Sequence, residues 1–380
     1  MTPRRPRVLI VAFSTLNSDA RVLRQIRLLS GAYDVATVGY GTTPPGASSH
    51  LRIPDDIVAW HKRRAWLILR RHQRAYDSAP IIRFLRPRLS GGRWDAVIAN
   101  DVETVPLALG LDSRGVHADL HEYAPRQNEE TRRWRWFVAP FNAWIVRRWV
   151  SRAASVSTVG QQLAREYLRE FGITASVVVN AAPYADRSPT PVAEPLRLVH
   201  SGLARRNRSL EVMVDAVLQA RRDLTLDLYL MPNDPAYLAE LKQAAAALPQ
   251  VRFHDPVSPN ELGHRLAEHD LGIFVLPPVT FNYLNTLPNK FFDYVQARLG
   301  IIVGPSPDMA SLVDKHGLGV VLPDFSARSL AKTLDDLSTE QIAGFKAAAD
   351  RAALDLSAER QIQGWSAVVE EILLKPDGAV

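Results

Sequence analysis

Apolar and polar positions along the chain come in alternating blocks of two lengths. Residues 8–13 form an unbroken apolar run of strand length, which reads as a buried strand. A polar loop follows. Ala20–Leu29 then carries apolar residues at helical spacing, with Ser18 or Asp19 as cap and Gly31 as stop. Asp34–Tyr40 reads as the next strand. The pattern predicts further strands at 94–99, Val116–Leu120, 155–159 and 176–179. Helices are predicted near Gln161–Phe171 and over 132–149, the latter kinked at Pro140.

Residues 182–195, rich in Pro, Ser and Ala, read as a linker. The pattern then restarts with strands at 196–200, 224–230, 251–253, 271–276, Gly300–Val303 and 319–322. Helices are predicted at 209–220 and 234–247 and between the later strands. A terminal helix over 358–374 carries Ile362, Trp365, Val369 and Ile372 on one face. Repeated strand–helix units on both sides of a linker predict an α/β chain of two Rossmann-like, doubly wound parallel-sheet domains facing a cleft. The expected division is 1–185, a linker at 186–195, 196–355, and a terminal helical segment at 356–380.

Composition narrows the class. At 380 residues the chain is long for one core, and 47% hydrophobic with 23% charged residues is ordinary for a soluble globular protein. The net charge of +6 points to an anionic partner: phosphates, nucleic acid or a membrane surface. With no cysteine there is no disulfide or thiolate chemistry. No apolar stretch is long enough to cross a bilayer, and the run after Arg4, Arg5 and Arg7 is too short for a signal peptide, so a cytoplasmic protein is expected. Neither G-x-G-x-x-G after the first strand nor a P-loop motif occurs, which argues against an ordinary NAD site and a P-loop nucleotidase.

The candidate chemistry lies in two strand-to-helix loops of the second half. In the stretch 280–294, Pro288 suits a helix start, Lys290 falls near its first turn, and Asp293 shares a face with it. A cation at that end opposes the helix dipole unless an anion such as a phosphate binds there. An ordinary solvated Lys–Asp pair fits the pattern equally well. Ser201-Gly-Leu-Ala-Arg-Arg-Asn-Arg-Ser209 also precedes a helix. Gly202 allows close approach of a ligand, and Arg205, Arg206 and Arg208 form a second potential anion site or a solvated basic loop. Two such loops in one domain favour a diphosphate.

These pieces, with Leu287-Pro-Asn-Lys-Phe-Phe-Asp-Tyr294 and Gly300–Val303, resemble the GT-B glycosyltransferases, and more narrowly the retaining, nucleotide-sugar-dependent family 4. Asp19-Ala-Arg-Val22 and Asp119-Leu-His-Glu122 resemble the same group. The resemblance spans essentially the whole chain and implies that the terminal helical segment, 356–380, crosses back to the first domain. It implies a hexosyltransferase-type enzyme whose second domain binds a UDP or GDP sugar as co-substrate, with no cofactor and no metal. It implies an acceptor, a sugar, a lipid-linked molecule or a small molecule, on the first domain, and a cleft that closes to exclude water. It gives Arg208, Arg205 and Lys290 to the donor diphosphate, and Asp293 to the nucleotide ribose as the second acid of an E-x7-E motif. The first acid position is Asn285, an uncharged amide, and the second acid is Asp rather than Glu. His121 matches a histidine that faces the donor sugar, although a histidine after a strand is more often a structural hydrogen-bonder. His254-Asp-Pro-Val257 matches a segment that cups the nucleobase, with Pro256 where the family has Gly. Gly202, Asn282, Asn285, Thr286 and Leu287 complete the donor candidates, and Asp19, Arg21, Asn100, Asp101 and Glu122 are the acceptor-side ones. No Asp-x-Asp occurs, so basic side chains and a helix mouth are expected to stabilise the leaving group.

Other functions share this scaffold. An inverting transferase would use Glu122 or Asp101 as base, a nucleotide-sugar epimerase would use the same two domains, and a binding protein without catalysis would explain Asn285. The stretches 60–93 and 132–149 mix Arg with Trp and Phe. Trp134, Phe137, Phe141 and Trp144 at helical spacing suit core packing. Arg63, Arg64, Arg70, Arg71 and Arg74 suit a peripheral contact with an anionic membrane on its inner face. No nucleic-acid module is recognisable, so no nucleic-acid partner is expected.

Overall fold

The computed structural model describes residues 4–374. They form two compact units, one of residues 4–179, 280–282 and 362–374 and the other of 180–279 and 283–361.

The first unit holds a seven-stranded sheet, all parallel: β1 Arg7–Thr15, β2 Asp34–Tyr40, β3 Ser49–Arg52, β4 Ala96–Asn100, β5 Val116–Leu120, β6 Ser155–Thr158 and β7 Ser176–Val177. Their order is β3-β2-β1-β4-β5-β6-β7. The central strand β1 registers Val8 against both Val35 and Ala96. Successive side chains of a strand point to opposite faces. Val8 and Ile10 therefore pack with Val22, Ile26 and Leu29 of the Ala20–Leu29 helix and with Val369 and Ile372 of Gln363–Leu374. Leu9 and Val11 pack on the other side with Ile81, Ile82 and Leu85 of Pro80–Leu89 and with Phe141. Each such side chain contributes about 1.5–3 kcal/mol on burial. The Gln363–Leu374 helix thus packs within the first unit, whereas Ala358–Gln361 groups with the second.

The second unit holds six parallel strands: β8 Leu196–Leu203, β9 Leu224–Met231, β10 Val251–His254, β11 Leu271–Phe274, β12 Gly300–Val303 and β13 Gly319–Val321. Their order, β10-β9-β8-β11-β12-β13, repeats the reversal about the first strand seen in the other unit. A buried Lys346–Asp270 ion pair of 3.0 Å anchors this unit, and Asp270 also accepts from the Arg197 backbone N–H at 3.0 Å.

Several details depart from the sequence expectation. The predicted strand 94–99 is divided at Asp95, whose carboxylate accepts from the Arg7 backbone N–H at 2.7 Å. Arg93–Trp94 pairs instead with Asp112–Ser113 in a separate two-stranded ladder. The short edge strand β3 has too little apolar pattern to be seen. The terminal helix is two segments, Ala358–Gln361 and Gln363–Leu374. The 132–149 helix opens as a π-turn at Trp134–Val138, with the Ala139 N–H reaching back to the Trp134 carbonyl, and Pro140 lies in the first turn of the α-helical part. Pro140, expected to kink a continuous helix, lies instead where the π-turn gives way to the α-helix, so its missing N–H falls in a first turn. The units divide at 179/180 rather than at 185. Residues of the expected linker are held to the second unit: the Ala185 N–H donates to Gln296 Oε1 at 3.0 Å, and its carbonyl accepts from Arg298 Nη2 at 2.8 Å.

Candidate functional site

In the second unit the residues of interest lie at the carboxyl ends of β8 and β11. The Asn289–Gln296 helix begins after Pro288, whose side chain cannot cap it, and no side-chain cap is present. Lys290 is the second residue of this helix and is half-buried. Its Nζ lies 3.4 Å from His200 Nε2 and 4.8 Å from the Phe274 ring centroid. His200 Nδ1 lies 2.8 Å from the Ile273 carbonyl. A carbonyl only accepts, so Nδ1 carries the proton and Nε2 turns a lone pair toward Lys290. Gly202 is required here. A Cβ at that position would lie 2.3 Å from Lys290 Nζ, and its φ of +151° disfavours other residues.

Arg208 closes the Arg206–Arg208 turn after β8. Its guanidinium lies 4.9 Å over the Tyr283 ring, and its Nε is buried with no hydrogen-bond partner. Among the described residues no ion pair joins Arg208 or Lys290 to a carboxylate. Burial and the nearby Arg208 push the Lys290 ammonium down to about 7, against a weaker upward pull from Asp293. Burial, then Lys290 and Arg208, hold His200 well below its ordinary value, so it is neutral. Two cations, an orphaned guanidinium N–H and an uncapped helix mouth make a site that an anion would complete.

The other donor candidates divide. Asp293 is half-buried one turn beyond Lys290. Arg205 is exposed, and Arg206 is engaged with Glu240 at 2.8 Å, so of the three arginines only Arg208 acts on Lys290. Asn285 and Leu287 are buried and Thr286 half-buried in the loop ahead of the helix. His254 stacks on Tyr229 at 4.5 Å, and its Nε2 lies 2.5 Å from Asp227 Oδ1; Val257 is half-buried three residues on. Burial works against ionisation of Asp227, but hydrogen bonds from His269 and His254 outweigh it and lower its pKa. Asn282 groups with the first unit, where it exchanges two hydrogen bonds with the Tyr123 backbone, at 3.0 and 3.3 Å.

The first unit has its own polar cluster at the carboxyl end of β5. Asp119 is fully buried, and Arg21 grips it through two bonds of 2.7 and 2.6 Å. Gln25 Nε2 and Ser157 Oγ donate to the same carboxylate at 2.7 and 2.5 Å. The third Arg21 nitrogen donates to the Val178 carbonyl at 2.8 Å, and the guanidinium lies over Trp365. Burial opposes ionisation of Asp119, but Arg21 and the His121 hydrogen bond hold its carboxyl well below the usual range. His121 is half-buried, 3.1 Å from Asn100 Oδ1. Burial works against its protonation, and Asp101 with Asp119 more than offsets this, so its pKa is raised. Asp101 adopts a left-handed backbone, φ 65°, and accepts from the His121 N–H at 3.2 Å. Asp19 caps the Ala20–Leu29 helix through the Arg21 and Val22 amides. Glu122 is exposed.

Solved structures share this architecture across nearly their whole length. A glycosyltransferase from Rickettsia africae ESF-5 aligns with 98% of this chain and 100% of its own, at a TM-score of 0.70 and 12% identity. Anabaena HepE, solved with UDP, aligns over 96% and 100%, at 0.70 and 12%. WaaG, a glycosyltransferase involved in lipopolysaccharide biosynthesis, aligns over 95% and 99%, at 0.64 and 13%. The chain has the GT-B fold. At such identities the fold is what is shared. No protein-family model matches the chain, and no curated protein matches it.

Within this GT-B fold each unit carries one polar centre at the carboxyl edge of its sheet, where ligands of open α/β sheets bind. Sequence analysis singled out Lys290, Arg208 and Gly202 but missed His200, which ends a predicted strand as any polar residue might. It also missed Gln25 and Asp227. Asp227 had a signal: a lone carboxylate inside the apolar strand Leu224–Met231 must be paired if buried.

Proposed function

We propose that this protein is a glycosyltransferase that moves a sugar from a UDP or GDP sugar to an acceptor hydroxyl, with retention and without a metal, as family 4 enzymes do. The observation that carries the reading is the pairing of Lys290 and Arg208 at a helix mouth where Pro288 offers no side-chain cap, with a buried Arg208 Nε left without a hydrogen-bond partner. HepE was solved with UDP and with UDP-glucose, which supports a nucleotide-sugar donor for a chain of the same fold. In the transfer, the bond from the anomeric carbon to the diphosphate oxygen breaks and its electron pair stays on that oxygen. Lys290, Arg208 and the first-turn amides meet the developing charge. The acceptor oxygen bonds to the anomeric carbon on the face the diphosphate leaves, and its proton passes to the departing diphosphate oxygen. Asp293 is proposed to hold the ribose and His121 to touch the donor sugar. Incubation with a panel of UDP and GDP sugars and acceptors should release the nucleoside diphosphate and transfer the sugar, and EDTA should leave the rate unchanged. Proton NMR of the product should show the donor's anomeric configuration. No turnover with any donor would refute an enzyme, loss of transfer on chelation would refute metal independence, and an inverted product would refute retention.

A peripheral membrane location is a second proposal, carried by exposed apolar residues among arginines. Trp60 and Trp136 are 76% and 68% exposed, and Ile68 and Leu69 are also exposed. The Arg64–Ile68 helix lies against Trp134–Val138, and Arg63, Arg64, Arg70, Arg71, Arg132, Arg133 and Arg135 are exposed nearby in sequence. Trp side chains at a lipid interface with basic neighbours favour anionic lipid by about 1 kcal/mol per basic residue. Among the described residues no helix is long and apolar enough to cross a membrane. The protein should co-sediment with anionic vesicles at low salt. Replacing Arg63, Arg64, Arg70 and Arg71 by Ser should release it while nucleotide binding persists. A wild-type protein that stays in the supernatant would refute this location.

A further inference from the structure

We propose that His200 is a positioning residue that holds Lys290 as an uncharged hydrogen-bond acceptor, and that Lys290 takes up a proton from solvent when a diphosphate binds. The inference rests on the donor-site reading above. Its geometric basis is a chain of three contacts. The Ile273 carbonyl fixes the His200 Nδ1–H at 2.8 Å, the ring lies parallel to Phe274 with a 4° tilt, and Nε2 is left as a lone pair 3.4 Å from Lys290 Nζ. Gly202 leaves the space the ammonium occupies, since a Cβ there would lie 2.3 Å from it.

A carboxylate in place of His200 would aim Lys290 equally well but would cancel its charge. A neutral imidazole aims it and leaves the charge for a ligand. The cost falls on the ligand-free state. Lys290 faces His200 from β8, Arg208 from the turn after β8, the Phe274 ring from β11, and Asp293 on its own helix. The Asp293 charge and the His200 lone pair favour its protonation. Burial and Arg208 outweigh that and bring the ammonium down to about 7. A diphosphate adds two or more negative charges beside it and restores the charged form. Binding and protonation are thereby linked, and each must promote the other.

The test is isothermal titration of the wild-type protein with UDP, GDP and inorganic pyrophosphate at pH 6, 7 and 8 in buffers of different ionisation enthalpy. The expected result at pH 8 is an uptake approaching ~1 proton per ligand, with affinity falling up to about tenfold per pH unit above 7. His200→Phe keeps the ring and removes the acceptor. It should weaken binding, and by a larger factor at pH 8 than at pH 6, because Lys290 loses a partner for its ammonium. His200→Gln restores a donor for Ile273 and an acceptor for Lys290, and should recover part of the affinity. A purely structural role would give a loss equal at every pH. Ligand binding without proton uptake, or a His200→Phe variant with the wild-type pH profile, would overturn the inference alone. If His200→Phe does not fold, the wild-type uptake and the His200→Gln profile decide it. Failure of all three ligands to bind would overturn the donor-site reading and this inference together.

Discussion

At the Ala20–Leu29 helix the first-turn amides of Arg21 and Val22 bond to the Asp19 carboxylate, whereas at Asn289–Gln296 the cap is Pro288, which offers the first turn no side-chain hydrogen bond. The cations beside the two helices differ in the same sense. Arg21 is buried with all three nitrogens engaged, two of them on Asp119. Lys290 has a neutral imidazole for its partner, and Arg208 leaves a buried Nε with none. In the first unit the protein supplies the anions itself, so the charge there serves the fold. In the second unit Asp293 offsets the positive charge of Lys290 less than burial and Arg208 oppose it, and half-buried positive charge so weakly compensated is costly unless a ligand provides the rest. The residue types alone do not separate the two regions, since both pair a strand end with a basic helix start. What separates them is that Arg21 is gripped directly by a buried carboxylate, whereas Lys290 rests against a neutral imidazole.

That contrast can be broken most forcefully from the first unit. Asp119→Ala leaves Arg21 buried without its partner and should destabilise the protein by about 3–5 kcal/mol in urea unfolding. Because the Asp119 carboxyl is held well below its ordinary 3.8, its contribution is present above that value and is lost as pH falls through the depressed one. The variant should therefore lose part of the wild-type acid transition. A loss below about 1 kcal/mol would mean that the network is not what holds this end of the sheet.

Lys290→Met and Arg208→Ala should each weaken nucleoside diphosphate binding by about 1.5–3 kcal/mol, the worth of a charge-assisted hydrogen bond. Unchanged affinity in both would remove the asymmetry between the two regions. Asp293→Asn should lower affinity for UDP but leave that for pyrophosphate intact, because the amide replaces one acceptor oxygen with a donor toward the ribose. Equal losses for both ligands would place Asp293 at the phosphates instead.

The smallest effect sharpens the comparison through stability. Lys290 is pushed from its ordinary 10.5 to about 7, so between those values the unfolded chain binds the proton more tightly than the folded one. Folding is penalised as pH falls through that window, and the penalty is full below it. Lys290→Met should raise the melting midpoint of the nucleotide-free protein at pH 6–7 and flatten its rise toward pH 10. A lower midpoint in the variant would show that the lysine supports the fold rather than a ligand.

The legible parts of this chain were those governed by period and by local chemistry. The unbroken run Gly300–Val303 matches the observed strand to the residue, as an apolar parallel strand buried on both faces should, and Val116–Leu120 matches too although its buried His117 and Asp119 break the apolar pattern. The Ala20–Leu29 helix was equally clear from its spacing and cap. Lys290, Arg208 and Gly202 could be singled out from local sequence alone, because each lies where a strand leads into a helix, although a solvated pair fitted the same pattern. The rest depends on partners distant in sequence. The role of Arg21 is set by Asp119, 98 positions away, and that of Lys290 by His200, 90 positions away. Asp19 offered itself equally as a cap and as an acceptor-side carboxylate, and only the amides of Arg21 and Val22 show the cap. Asp95 interrupts a predicted strand because it bonds to the Arg7 N–H, again a long-range contact.

The central claim is that the uncompensated cations of the second unit hold the diphosphate of a nucleotide. A thermal-shift titration of the wild-type protein and Lys290→Met with UDP, GDP and their sugars tests it most directly, since a ligand that binds the folded state raises the midpoint in proportion to its affinity. The account predicts that at least one nucleoside diphosphate raises the wild-type midpoint and that the same concentration raises the variant's much less. Equal shifts in the two proteins, or no shift with any nucleoside diphosphate in the wild type, would contradict it.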